Sequence, residues 1–375
     1  MHYLVPDLSP LIALPSLLSP VAAHIQPELT GLAEVPETHA WPTLHDRPYG
    51  VDDRVPVVDL ALPDAVRLVG RACEEWGAFL LTGHGVPVEL LRRIEEQGRR
   101  LFSLSAAHKL RAARCDGTST GYGSAFISKF FSKQFWSEGF TVVGSPREDA
   151  RKIWPDGHQD FCGAIEEYSR LMDDLARRLM HLMLLFLGLS DEEISWVGPL
   201  KAQHEAVPAL QLNYYPRCPE PDRAMGLAEH TDSSLVTIIH QSSGVAGLQL
   251  LRDGDGGGAA RWVAVAPITG ALVVIVGDLF QVMSNGRFRS VVHRAVVDRT
   301  RARISVAYFC GPPAELKISP IGKLMGSGRG PAYRGVTWPE YLRLKKKLYN
   351  EALASLRLSA GKGGEKEKLE VYISS

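Results

Sequence analysis

Leu227-Ala228-Glu229-His230-Thr231-Asp232-Ser233-Ser234 decides how this chain is read. An imidazole and a carboxylate stand two residues apart inside a run with strand character. Residues i and i+2 of a strand point to one face, so His230 and Asp232 can reach one point while Thr231 turns away. Further along, Ser290-Val291-Val292-His293-Arg294-Ala295 offers a second imidazole. Two histidines and one carboxylate, with coordination positions left over, form a facial set that suits non-haem Fe(II).

Working outward, Arg303-Ile304-Ser305 repeats the i, i+2 spacing in the strand-like run Arg303 to Phe309. A guanidinium and a hydroxyl on one strand face can grip a carboxylate through forked, charge-assisted contacts. A bidentate metal ligand that ends in a carboxylate would fit between metal and arginine, and 2-oxoglutarate has that shape. The paired Arg303 and Ser305 also favour iron over zinc, since a zinc hydrolase has no use for a carboxylate fork. Upstream lies Gln211-Leu212-Asn213-Tyr214-Tyr215-Pro216-Arg217-Cys218-Pro219.

With these motifs in this order, the chain resembles the plant 2-oxoglutarate- and Fe(II)-dependent dioxygenases, from about Val35 to about Leu356. That family carries N-Y-Y-P-x-C-P, then H-x-D, a distant H, then R-x-S. The resemblance implies that His230, Asp232 and His293 hold Fe(II). It implies that Arg303 and Ser305 take the far carboxylate of 2-oxoglutarate, with Tyr215 helping to hold it and Asn213 supporting the site. O2 is the oxidant, and ascorbate is the expected reductant. The same resemblance implies an enzyme that hydroxylates a C–H bond and releases succinate.

Two further stretches are similar to the gibberellin 3-oxidases within that family. They are Ser132-Lys133-Gln134-Phe135-Trp136-Ser137-Glu138-Gly139-Phe140-Thr141 and the earlier Pro36-Glu37-Thr38-His39-Ala40-Trp41-Pro42. The substrate implied is a small gibberellin-like diterpenoid acid, a C19 gibberellin oxidised on its A ring at C-3β. Phe126, Phe130, Phe131, Phe135, Trp136 and Phe140 read either as core or as an apolar pocket wall. In the second reading Phe126, Phe131, Lys133 and Trp136 bind substrate, and one of the two interleaved lysines, Lys129 or Lys133, takes its carboxylate. Two positions depart from the V-V-N-V-G-D-L-F-H pattern of those enzymes: Ile275 replaces Asn and Gln281 replaces His. If Ile275 faces the substrate, 2,3-desaturation or oxidation at C-1 or C-2 becomes an alternative outcome. A flavonoid-type dioxygenase is a further alternative, and a non-catalytic diterpenoid-acid binding protein is an alternative of another class.

The bulk properties agree with a globular enzyme. The chain has 375 residues, 45% hydrophobic and 22% charged, with 42 basic and 42 acidic side chains. A balanced charge gives no reason to expect nucleic acid or an anionic membrane as partner. Five scattered cysteines with no C-x-x-C pair fit a reducing compartment. The expectation is a monomer in the cytoplasm, with the nucleus as a second location. Pro6, Pro10, Pro15, Pro20 and Pro27 break the apolar N-terminus, which has no basic flank and no span of about 20 apolar residues.

Periodicity predicts helices over Asp64–Trp76, Pro87–Ser103 and Asp160–Leu187, and then a change to short apolar runs. Eight such runs lie between Leu210 and Phe309, with Gly277-Asp278 as a turn between two of them. The fold class expected is α+β: a double-stranded β-helix, or jelly roll, with an N-terminal helical lobe and a C-terminal covering helix. The divisions expected are a mobile tail over 1–34, a helical lobe over 35–205 and the jelly-roll domain over 206–312. A C-terminal segment over 313–358 should pack on the N-terminal lobe through a helix from Thr337 to Leu356. Residues 359–375 should be a disordered tail. His84, His181 and His240 read as structural.

Overall fold

Strand Leu272–Val276 (β10) is wholly apolar, and all five of its residues are buried. A strand reads this way when both faces are covered. Here Leu272, Val274 and Val276 face the helices, while Val273 and Ile275 face a second sheet. The computed structural model describes residues 29–42, 54–115, 118–195, 209–242, 244–254, 258–325 and 330–358.

The larger sheet is built from β1 (Val57–Asp59), β2 (Ala78–Thr82), β3 (Gly121–Tyr122), β4 (Glu138–Val143), β5 (Ala209–Tyr215), β7 (Val236–Gln241), β10 and β12 (Arg303–Cys310). Its spatial order is β1-β2-β10-β7-β12-β5-β4-β3. The smaller sheet contains β6 (Met225–His230), β8 (Leu248–Arg252), β9 (Arg261–Ala264) and β11 (His293–Val296), in the order β6-β11-β8-β9. Ile239, Val273 and Ile275 from the larger sheet meet Leu248, Leu250 and Val263 from the smaller one, so the two form a sandwich with an apolar interior.

Helices cover the outer face of the larger sheet. They are α1 (Ala65–Glu75), α2 (Val88–Phe102) and α3 (Gln159–Phe186). Along α3, Ile165, Tyr168, Met172, Leu175, Leu179 and Met183 are buried at three- and four-residue steps. Each such side chain contributes about 1.5–3 kcal/mol on burial. Gly70 lets α1 approach closely: a Cβ there would fall 1.9 Å from the Phe186 ring.

The three predicted helices are therefore present, and so are the eight predicted strand runs, as β5 to β12. In the N-terminal region β1 to β4 extend the main sheet on both sides. Three expectations need correction. Chain packing begins before residue 35, because Leu29 is buried with Val35, Ala40 and Trp136. Gly277-Asp278 is no simple turn, since Asp278 opens a buried helix, α4 (Asp278–Met283). The C-terminal helix, α5, runs only from Trp338 to Leu348 and gives way to 3-10 turns at Tyr349. Tyr349 has a φ of 51°, outside helical geometry. Residues 1–28 and 359–375, with most of both expected tails, lie outside the described residues.

Candidate active site

β6 and β11 pair antiparallel with His230 directly opposite His293. Opposite residues of such a pair share one face, and the two rings lie 4.3 Å apart between centroids. His293 is also opposite Leu250, which belongs to the inter-sheet interior, so both imidazoles face inward. Asp232 sits two residues beyond the end of β6, off the strand that the sequence suggested. Its Oδ1 is nevertheless 3.7 Å from the Nε2 of each histidine. One ligand atom from each of the three residues falls within 4.8 Å of the others.

The ring orientations are fixed from behind. His230 Nδ1 lies 2.8 Å from the Ala228 carbonyl, and His293 Nδ1 lies 3.1 Å from the Val291 carbonyl. A carbonyl only accepts, so each Nδ1–H donates and each Nε2 keeps its lone pair. Burial, and then the nearby His293, push the His230 imidazole down to about 3. It therefore stays neutral, as a metal ligand must. Asp232 is buried, and its Oδ2 has no hydrogen-bond partner in the protein.

The loop that carries Asp232 is held by α4 and α5. Gly277 lies so close to the Ser234 carbonyl that a Cβ would sit 2.0 Å from its oxygen. The Asp278 amide donates to the Asp232 carbonyl at 2.8 Å. Asp278 Oδ2 accepts from Thr231 Oγ1 at 2.9 Å, from the Tyr341 hydroxyl at 2.6 Å and from Lys345 Nζ at 3.1 Å. Tyr349 donates to the Glu229 carbonyl. Helix α5 thus packs on the ligand loop of the jelly roll, while Lys346 and Tyr349 also reach Phe126, Phe130 and Phe131 of the N-terminal region. Sequence reading missed Asp278, Tyr341 and Lys345. The i, i+4 spacing of the last two was the available signal.

The second half of the site faces the same interior. Arg303, Ser305 and Ala307 alternate along β12, and Ala307 belongs to the inter-sheet cluster. Arg303 is opposite Tyr215, and Ser305 is opposite Asn213. Arg303 is buried, with Nη2 donating to Gln241 Oε1 at 3.0 Å and with Nε lacking any partner. Its guanidinium carbon lies 5.2 Å from the Tyr215 ring centroid. Burial raises the Tyr215 hydroxyl, and the Arg303 charge opposes that rise. Asn213 Oδ1 accepts from Gln211 Nε2 at 3.2 Å. Gln241 was another residue that sequence reading passed over.

The five residues expected to bind substrate are not one cluster. Phe131 packs with Trp41 at 5.2 Å, Phe135 at 5.5 Å and Tyr349 at 5.6 Å, between ring centroids. Leu227 and Ala228 join that group from the strand that ends at His230. Phe126 is 47% exposed. Trp136 is fully buried in another cluster and donates Nε1–H to the Arg217 carbonyl at 3.3 Å. Lys133 is taken up by the Glu37 carbonyl at 2.7 Å. Ile275 faces the sandwich interior among Ala78, Leu80, Ile239 and Val273, apart from the aromatic group. Trp41, Phe135 and Tyr349 complete the aromatic wall instead.

Comparison with known proteins gives the same picture. Residues 206–312 match the 2OG-Fe(II) oxygenase superfamily, and residues 55–157 match the family described as non-haem dioxygenase in morphine synthesis N-terminal. Gibberellin 3-beta-dioxygenase 1 of Arabidopsis thaliana is 48% identical over 342 residues, covering 89% of this chain and 94% of the relative. The chain belongs to the 2OG-Fe(II) oxygenase superfamily. Among its relatives, gibberellin 3-beta-dioxygenase 1 of Pisum sativum is 47% identical, over 89% of this chain and 90% of the relative. A crystal structure of JOX2 in complex with 2OG, Fe and JA is 28% identical, with a TM-score of 0.75 over 88% of this chain and 95% of that one. A dioxygenase for auxin oxidation in rice is 26% identical, with a TM-score of 0.66 over 81% of this chain and 100% of that one.

The oxygenase site fits Fe(II). Two imidazoles converge with their Nε2 atoms on a buried carboxylate that has an unsatisfied oxygen, a donor set suited to a divalent metal. The unpartnered Nε of Arg303 likewise fits a carboxylate of 2-oxoglutarate. No helix among the described residues is long and apolar enough to cross a membrane.

Proposed function

We propose that this chain is a gibberellin 3-beta-dioxygenase, which hydroxylates a C19 gibberellin on its A ring at C-3β in gibberellin biosynthesis. It works as a monomer in the cytoplasm, and also in the nucleus, with ascorbate as reductant. One observation carries the substrate assignment: 48% identity to a gibberellin 3-beta-dioxygenase along 94% of that protein. His230, Asp232 and His293 would hold Fe(II), which when bound supplies O2 activation coupled to the oxidation of 2-oxoglutarate to succinate and CO2.

The protein's own part is binding and aim. Arg303 and Ser305 would hold the far carboxylate of 2-oxoglutarate, with Tyr215 and Asn213 on the adjacent strand beside them. The wall of Trp41, Phe131, Phe135 and Tyr349 would seat the apolar polycycle next to Leu227, on the metal-bearing strand. Phe126 adjoins Ala125 and Ile127, which pack against that group. Holding the target C–H in place and excluding water is how such a site favours one carbon.

Ile275 and Gln281 give little support to oxidation at a different carbon. Ile275 is packed among apolar neighbours, and Gln281 is spent on the Tyr333 hydroxyl at 2.8 Å and the Ser290 amide at 2.7 Å. The test is turnover of purified protein with Fe(II), 2-oxoglutarate and ascorbate against a panel of gibberellins and flavonoids. A 3β-hydroxylated gibberellin is the expected product by mass spectrometry. Flavonoid turnover alone, or ligand binding with no succinate, would overturn the assignment.

A further inference from the structure

Arg114 is a partly buried cation with no ion pair among the described residues. Its guanidinium donates to two neutral oxygens only, the Ser124 carbonyl at 2.9 Å and Thr141 Oγ1. Its Nε has no hydrogen-bond partner among the described residues. Burial pushes it down to about 10, so it remains charged at neutral pH. A charge withdrawn from water and left unpaired is costly, and a protein keeps one where a ligand completes the pair.

The surroundings say what ligand. The Arg114 guanidinium carbon lies 4.6 Å above the Phe126 ring, whose chain neighbours Ala125 and Ile127 pack against the aromatic group. Ser124, which it contacts, lines a cavity together with Ser128, Phe135, Gln211, Asn213 and Leu227. Asn213 is opposite Ser305, and Leu227 is on the strand that ends at His230, so the cavity adjoins both halves of the site. Glu138 also lines it, but its carboxylate is already held by Lys109 and by the Tyr122 hydroxyl. Two more cations lie close by, with no ion pair among the described residues: one over Phe126 and one over Phe130. Lys346 Nζ is 5.5 Å from the Phe126 ring, and Lys129 is close enough to depress Lys346 further after burial has lowered it.

We propose that Arg114 receives the carboxylate of the substrate, and that Lys129 and Lys346 form a cationic rim that guides the acid past Phe126. This rests on reading the substrate as a gibberellin-type acid. It replaces Lys133, which Glu37 occupies, as the anchor for that group.

Calorimetric binding tests it, using full-length protein loaded with Fe(II) and 2-oxoglutarate without oxygen, so that nothing turns over. The probes are a C19 gibberellin and two unrelated apolar acids, jasmonic acid and indole-3-acetic acid, each also as its methyl ester. The wild type should bind the free acid at least about tenfold more tightly than the ester, the worth of one charge-assisted contact. Arg114→Gln should erase that preference by weakening the acid alone, and retained ester binding shows the variant is folded. Arg114→Lys should keep part of the preference. Lys129→Gln with Lys346→Gln should slow association and reduce its salt dependence. An acid preference that survives in Arg114→Gln, a wild type that never prefers acid to ester, or one that binds none of the acids overturns the proposal. An Arg114-dependent preference seen only with a different acid supports the anchor while removing the gibberellin assignment.

Discussion

Asp278 and Lys345 form an ion pair directly behind the loop that carries Asp232, with Lys345 Nζ 3.1 Å from Asp278 Oδ2. Asp278 is 0% exposed. The same lysine reaches Thr231 Oγ1 at 2.6 Å, so one side chain ties helix α5 to both the buried acid and the ligand loop.

Lys345→Met should therefore do more than remove a surface charge. Leaving Asp278 buried without its cation should cost about 3 kcal/mol of stability. Supports behind a metal ligand typically govern about 10- to 100-fold in metal affinity, so Fe(II) binding should weaken within that range. Thermal melting and an anaerobic Fe(II) titration measure the two effects. An unchanged titration would make the clamp purely structural.

Tyr341→Phe isolates the neutral member of the same clamp. It removes the 2.6 Å hydrogen bond to Asp278 and keeps the ring. The expected loss is about 1–3 kcal/mol of stability, since a buried acceptor is left less satisfied. Denaturant unfolding with an unchanged slope is the check.

His230→Ala, Asp232→Ala and His293→Ala should each abolish Fe(II)-dependent succinate formation in folded protein. Each removes one member of a three-atom set held within 4.8 Å. Normal turnover in any one of them would take that residue out of the ligand set.

Arg303→Lys should raise the 2-oxoglutarate requirement about tenfold or more, because a point charge replaces a planar fork. The lysine would also give up the bond to Gln241. A 2-oxoglutarate titration that matches wild type would place the co-substrate elsewhere.

Ile275→Asn puts an amide among Ala78, Leu80, Ile239 and Val273. It should cost about 1–3 kcal/mol in stability for want of partners and leave the position of hydroxylation unchanged. Product analysis of both proteins checks this, and a changed product ratio would show that the sandwich interior reaches the substrate.

What was legible in the sequence was what local spacing encodes. His230 with Asp232, and Arg303 with Ser305, are two residues apart, and a strand converts that spacing into a shared direction. The helical stripe of α3 and the short apolar runs of the jelly roll were legible for the same reason. What stayed hidden depends on contacts between distant parts of the chain. Tyr341 meets Asp278 across 63 positions, and Lys345 meets Thr231 across 114. Nothing near Lys133 says that the Glu37 carbonyl, 96 positions earlier, will occupy it. Arg114 sits in an unremarkable basic run, and its unpartnered Nε is visible only once the chain is folded.

The position of α5 sets an order of manufacture. Every candidate iron ligand precedes it in the chain, yet the bracing of the Asp232 loop is not complete until Trp338 to Tyr349 has been made. A ribosome adds about 5–20 residues each second, so the three ligands emerge some seconds before their brace. During that interval the three ligands are present without the support of α5. A message cut short before α5 would yield a barrel with all three ligands, but with the Asp232 loop held by α4 alone.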